Sequence, residues 1–210
     1  MDLTKHAHAC VTLTEGGRTL LLDPGTLTPG VADLLAAADA VLVTHGHPDH
    51  VDADALTAEL ARRPELTVHA PADVVETLGA GTAVTAGEEF TVAGFAVRVV
   101  GSGRHALIHA DVPVPANVGY VVGGDVYHPG DSYDVPGVPV TTLLLPVSGP
   151  WTRMGAAVDF VRAVAPQRSV PVHELMLSEL GQGFAANLAG PDGLTTVPVV
   201  RLAVGETLSL

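Results

Sequence analysis

Apolar residues in this chain fall in short runs broken by turn residues, with only a few stretches at helical spacing. Residues 10–14 alternate apolar and polar, Gly16-Gly17 makes a turn, and residues 18–22 return, which predicts a β-hairpin. Ala40-Val41-Leu42-Val43 is a continuous apolar run bounded by polar residues, the pattern of a buried strand. Further strands are expected at 67–70, 142–145 and 168–172, and in the tail near 197–203 and 206–209. Two more hairpins are predicted, one turning at Ala93-Gly94 and the other at Gly123-Gly124. Helices are expected over 31–37 and 48–62, the second with Ala53, Leu56 and Leu60 on its buried face and Pro64 beyond its end. Pro71 suits the first position of a helix reaching Leu78. Met154, Ala157, Val158 and Val161 share one face of another, with Thr152 as its cap. This order predicts mixed α and β structure, which two sheets packed face to face with helices outside would bury.

Composition narrows the picture. At 210 residues with 47% hydrophobic content, the chain is expected to form one domain, residues 1–210, with a substantial core. Its formal net charge of −13 opposes a nucleic-acid partner, because a polyanion would be repelled where no basic patch exists. Cys10 is the only cysteine, so no internal disulfide can form. The first six residues lack the features of a secretory signal, and no apolar window reaches the length of a membrane span. The expectation is a cytoplasmic protein with no membrane association, a small-molecule substrate and possible homo-oligomers.

The candidate chemistry lies in Thr44-His45-Gly46-His47-Pro48-Asp49-His50, three histidines and a carboxylate placed where a core strand ends. Imidazole and carboxylate together suit zinc, manganese or iron. His45 and His47 are two apart, so an extended backbone projects both to one side. Pro48 breaks the strand, and Asp49 and His50 are expected at the start of the next helix, where unpaired amides would favour the Asp49 charge. The competing reading is a polar turn that happens to be rich in histidine.

The pattern H-x-H-x-D-H resembles that of the metallo-β-lactamase-fold superfamily, and later segments extend the resemblance along nearly the whole chain. His105 follows the apolar stretch 95–100, Asp131 lies in His128-Pro129-Gly130-Asp131-Ser132, and His173 ends Val170-Pro171-Val172-His173. Leu20-Leu21-Leu22-Asp23-Pro24-Gly25 matches the family's first motif, whose aspartate supports the site from behind. The resemblance implies an α+β fold, a four-layer αββα sandwich. It also implies two divalent ions, zinc above manganese or iron. His45, His47 and His105 would hold the first, Asp49, His50 and His173 the second, with Asp131 bridging. The implied activity is hydrolysis of a small ester, lactone or phosphodiester by a metal-bridged hydroxide, with Asp49 and Asp131 as catalytic residues. His6-Ala7-His8-Ala9-Cys10, the segment from Pro146 to Met154 and the late Val-Pro-Val-His look like the branch containing ascorbate-6-phosphate lactonase.

Other residues carry smaller expectations. His8 is placed near the site but not as a ligand, His109 is the rival to His105, and His128 and His69 are read as structural. Asn117 and Tyr120 are weighed as oxyanion donors against strand and turn roles. Trp151 and Met154 are expected in the core. The loop 109–115 and the glycine-rich segment 181–190 are candidate walls over the site. Competing functions are an iron-dependent oxidoreductase on the same ligands, a non-catalytic metal-binding protein and, least favoured, a nuclease.

Overall fold

The computed structural model describes residues 1–210 and contains two β-sheets stacked between helices. The first sheet is built from β1 (Asp2–Lys5), β2 (Val11–Glu15), β3 (Arg18–Leu22), β4 (Ala40–Leu42), β5 (Thr67–Ala70) and β6 (Thr82–Ala83). The second contains β7 (Glu89–Val92), β8 (Phe95–Val100), β9 (Gly119–Val122), β10 (Val126–His128), β11 (Thr142–Pro146) and β12 (Arg168–Val172). The C-terminal β13 (Thr207–Ser209) returns to pair with β1, so the strand orders are β13-β1-β2-β3-β4-β5-β6 and β12-β11-β10-β9-β8-β7. Helices α1 (Val31–Ala37), α2 (Ala53–Arg62) and α3 (Ala72–Leu78) follow strands of the first sheet. Helices α4 (Met154–Val164) and α5 (Glu179–Ala189) follow strands of the second.

The apolar runs are continuous because both faces of the central strands are covered. Leu20, Leu22 and Leu42 face Val99, Tyr120 and Leu144 across the space between the sheets. Their neighbours Leu21 and Val41 turn outward onto Leu35 of α1 and Leu56 of α2. Likewise Leu143 and Leu145 pack on Phe160 and Val161 of α4, opposite Leu144. Each fully buried leucine contributes about 1.5–3 kcal/mol. The result is the expected αββα sandwich.

Four local expectations are corrected. The helix predicted from 48 begins only at Ala53, where Asp52 caps it by accepting from the Ala55 amide. Residues 48–50 form a turn closed by the His50 and Val51 amides donating to the His47 carbonyl, so Asp49 gains nothing from a helix terminus. Thr152 does not cap α4; its hydroxyl donates instead to the Gly149 carbonyl. The glycine-rich segment weighed as a wall, 181–190, is helical to Ala189, within α5 behind a Ser178 cap, with Gly190 at the helix end. Of the two tail strands only the last forms, and the nearer segment contributes a single bridge from Val199 to Ser169.

Strand direction gathers the chemistry. β3, β4 and β5 are parallel, as are β10, β11 and β12, and β8 runs with β10 because both flank β9 antiparallel. The segments leaving β3, β4, β8, β10 and β12 therefore emerge at one end of the sandwich. The two sheets are joined there by the Val118 amide donating to Thr44 and the His173 amide donating to His8, each to a backbone carbonyl.

Candidate metal centre

All seven residues expected as ligands converge at this end. Donor atoms of His45, His47, His105 and Asp131 lie within 4.8 Å of one another, and so do those of His8, Asp49, His50 and His173. Asp131 touches both groups. Its Oδ2 is 3.2 Å from His105 Nε2 and 3.3 Å from His173 Nε2, and its Oδ1 is 3.1 Å from His50 Nε2.

Each side chain has a local reason for its position. Asp23, at the end of β3 with φ 48°, accepts from the Thr44 amide and hydroxyl at 2.8 and 2.7 Å. Its Oδ2 lies 2.7 Å from His50 Nδ1, which leaves Nε2 as the free nitrogen of that ring. Gly25 crosses directly over the Asp49 carbonyl, where any side chain would collide. Asp131 is placed by its own amide, which donates to Asn117 Oδ1, while Asn117 Nδ2 donates to the Pro129 carbonyl. This backbone role, and the donation of the Tyr120 hydroxyl to the Val43 carbonyl, exclude both residues as oxyanion donors.

Two residues matter more than expected. His8, fully buried at φ 55°, puts Nε2 3.1 Å from Asp49 Oδ2 and its ring 3.8 Å from that of His173. Trp151, expected to serve packing, donates from Nε1 to Asp131 Oδ2 at 2.8 Å. The segment around His8 placed it near the site, but its grouping with the donors and the Trp151 contact could not be found from local pattern, because the partner in each case is distant along the chain. The choice of His105 over His109 is upheld by geometry: the His109 side chain is 65% exposed and pairs with Asp111 outside the cluster. His128 bonds the Ala9 carbonyl, and His69 stacks on Phe90, both structural roles.

The electrostatics are those of a set of donors awaiting cations. Burial, then the nearby His50, holds His45 well below the usual histidine range. Burial opposes charge on His50 as well, but Asp131 and Asp23 outweigh it and raise its pKa well above that range. For His173, burial is likewise overcome by Asp131 and Asp49, which push it up to about 9. Burial would raise Asp49 and Asp131, yet the histidines around them hold both carboxyls well below the usual carboxylate range. His50 Nε2, His173 Nε2 and Asp131 Oδ1 are buried without a hydrogen-bond partner, a costly state unless something else binds them. Imidazole nitrogens and carboxylate oxygens at this spacing fit divalent ions.

The comparisons with known proteins agree. A family model described as "Beta-lactamase superfamily domain" matches residues 2–173. Protein Rv0786c of Mycobacterium tuberculosis is 39% identical over 190 residues, spanning 88% of this chain and 89% of its own. A UPF0173 metal-dependent hydrolase of Thermococcus kodakarensis is 31% identical over 188 residues, spanning 77% and 79%. Among solved structures, Igni18, a metallo hydrolase from Ignicoccus hospitalis, superimposes with a TM-score of 0.74 over 99% of this chain and 97% of its own. At 20% identity that likeness shows the fold alone. Fold and site thus define a metal-dependent hydrolase. The chain belongs to the metallo-β-lactamase superfamily.

Proposed function

We propose that this chain hydrolyses a small ester, lactone or phosphodiester with two divalent ions, zinc above manganese or iron. His45, His47 and His105 would hold one, Asp49, His50 and His173 the other, and Asp131 would serve both. The observation that carries the reading is the Asp131 carboxylate, with one oxygen on His105 and His173 and the other on His50. Two ions held there would supply Lewis acidity, lowering the pKa of a bound water and polarising the substrate oxygen. Asp23 fixes the His50 ring, and Trp151 holds Asp131 against rotation. Asp49 is the more open carboxylate, 23% exposed against 4% for Asp131. Its Oδ2 meets His8 and His173, and beside a bound ion it would help to orient the attacking water. A lactone is the substrate expected of the lactonase-like branch.

The test is metal quantification on anaerobically purified protein, then a panel of esters, lactones and phosphodiesters with the identified ion restored. Two equivalents of zinc or manganese with turnover support the reading. Iron accompanied by oxygen consumption, or a fully loaded protein inert across the panel, overturns it.

A further inference from the structure

His8 is the one histidine of the two donor groups that the proposed ligand set does not use. Asp49, His50, His173 and the shared Asp131 already offer the second ion four donors, the usual number for zinc. The His8 ring is nevertheless fully buried, and its Nδ1 has no hydrogen-bond partner. An apolar side chain would fill this space without stranding a polar atom, so packing alone does not explain an imidazole here. The ring's single hydrogen-bond contact is with Asp49, where Nε2 lies 3.1 Å from Oδ2.

That carboxylate has no other lasting hydrogen donor. No backbone amide donates to it, because residues 48–50 form a turn rather than a helix end. His173 Nε2 stands 3.3 Å from the same oxygen, but a nitrogen that binds an ion has no hydrogen to give. Asp49 is also 23% exposed, so its short side chain is free to turn toward water unless something holds it. Asp131, by contrast, accepts from Trp151 Nε1 at 2.8 Å. His8 stands to Asp49 as Trp151 stands to Asp131.

The backbone keeps the His8 ring in place. Its φ of 55° is a left-handed conformation that few side chains adopt. The Cys10 amide closes the turn on the Ala7 carbonyl, and the His8 carbonyl accepts from Lys5 Nζ and the His173 amide. A relaxed backbone would lose those bonds.

We infer that His8 is the positioning residue of Asp49, donating from Nε2 to Oδ2 so that the carboxylate is held toward the second ion. This rests on the two-ion reading above. A carboxylate that binds a cation carries no proton, so the hydrogen in the contact belongs to Nε2 and the Nδ1 lone pair is left bare. The unpartnered Nδ1 is then a consequence of the role.

His8→Met and His8→Gln test it. The two side chains have the same length and are both disfavoured at this φ, but only glutamine carries a donor near the place of Nε2. Chelator competition on the zinc-loaded proteins reads the affinities of the two ions. His8→Met is expected to lose about 10- to 100-fold at the second ion and little at the first, and His8→Gln to recover most of that loss. Unchanged affinities in His8→Met, or equal weakening of both ions, overturn the inference. Equal losses in the two variants overturn it as well, and fewer imidazoles per zinc by X-ray absorption would then show His8 to be a ligand. Should the variants not fold, nitrogen NMR of the zinc-loaded wild type decides: a hydrogen on His8 Nε2 supports the role, and its absence there overturns it. A wild type that binds fewer than two ions removes the two-ion reading and this inference with it. A loaded protein inert toward esters, lactones and phosphodiesters ends the hydrolase reading alone, and the affinities still decide the role of His8.

Discussion

The two donor groups are assembled by different means. In the first, His45 and His47 come from one extended segment, anchored at Thr44 by Asp23, and His105 and Asp131 close over it from the second sheet. In the second, Asp49 and His50 come from the same motif, but His8 and His173 sit in left-handed turns with φ 55° and 58°, on different sheets. Those turns are tied by the His173 amide donating to the His8 carbonyl. Lys5 donates to the same carbonyl at 2.9 Å and to both oxygens of Glu174 at 2.9 and 3.0 Å. A buried ion pair thus holds the second group together from behind, with no counterpart at the first. The first group depends on one short segment staying extended, whereas the second depends on contacts more than 160 residues apart in the chain.

The most severe way to break this contrast is Asp131→Ala, because that carboxylate belongs to both groups. Loss of both ions is expected, with activity falling by more than the roughly 100-fold typical of an outer partner. Metal content and kcat measured on the same sample check it; a variant retaining two ions would remove the shared carboxylate from the scheme.

Lys5→Met acts on one side only. It strands the Glu174 carboxylate without its partner, a change that costs roughly 3–5 kcal/mol where both charges are well buried. The side chains here are 2% and 12% exposed, so the lower end is expected by urea unfolding. The second ion should weaken before the first, and adding Glu174→Leu should recover most of the stability. Equal weakening of both ions would show that the groups are not supported separately.

Asp23→Asn sharpens the comparison from the opposite direction. Asp23 contacts both Thr44 and His50, so a loss of about 10- to 100-fold in metal affinity is expected, shared between the two groups. Competition with a chelator would resolve the two steps. An effect of the same order, read in kcat rather than metal affinity, belongs to Trp151→Phe, which removes the indole donor from Asp131; about 1.5–3 kcal/mol is the usual worth of a hydrogen bond to a charged group. It should appear as reduced kcat with little change in the unfolding midpoint.

Cys10 offers a reporter for the second group alone. It closes the turn that carries His8, through its amide donating to Ala7 and its carbonyl accepting from His6. Burial pushes its thiol from an ordinary 9.0 up to about 12, so the folded chain should resist thiol reagents at neutral pH. Because the folded value is the higher one, this thiol's contribution to stability is constant below about pH 9 and is lost as pH rises from there toward 12. Labelling that is no faster in Lys5→Met than in the wild type would mean the His8 turn does not need the ion pair.

Much of this was legible from residue order, for identifiable reasons. Runs such as Leu20-Leu21-Leu22 and Leu143-Leu144-Leu145 mark strands covered on both faces, and alternate side chains do go to opposite cores. The hairpin turns, β5 and β12 fell where turn residues bound apolar runs. α5 was missed because Gly181, Gly183 and Gly190 suggest a loop, whereas Ser178 caps it and Ala185 and Ala189 pack it. The start of α2 was placed too early because Pro48 mimics a first helical position, while Asp52 supplies the actual cap. Trp151 was misjudged because a single aromatic carries no sign of what its N–H will meet.

The order of residues by itself determined mixed α and β structure and the inventory of donors, since burial periodicity and ligand chemistry are properties of short segments, and the resemblance carried by its motifs implied the sandwich. Only the tertiary structure decided that His8 joins the second group and that Trp151 holds Asp131. Those depend on which strand ends the folded sheets bring side by side, a long-range consequence of packing that no local window contains.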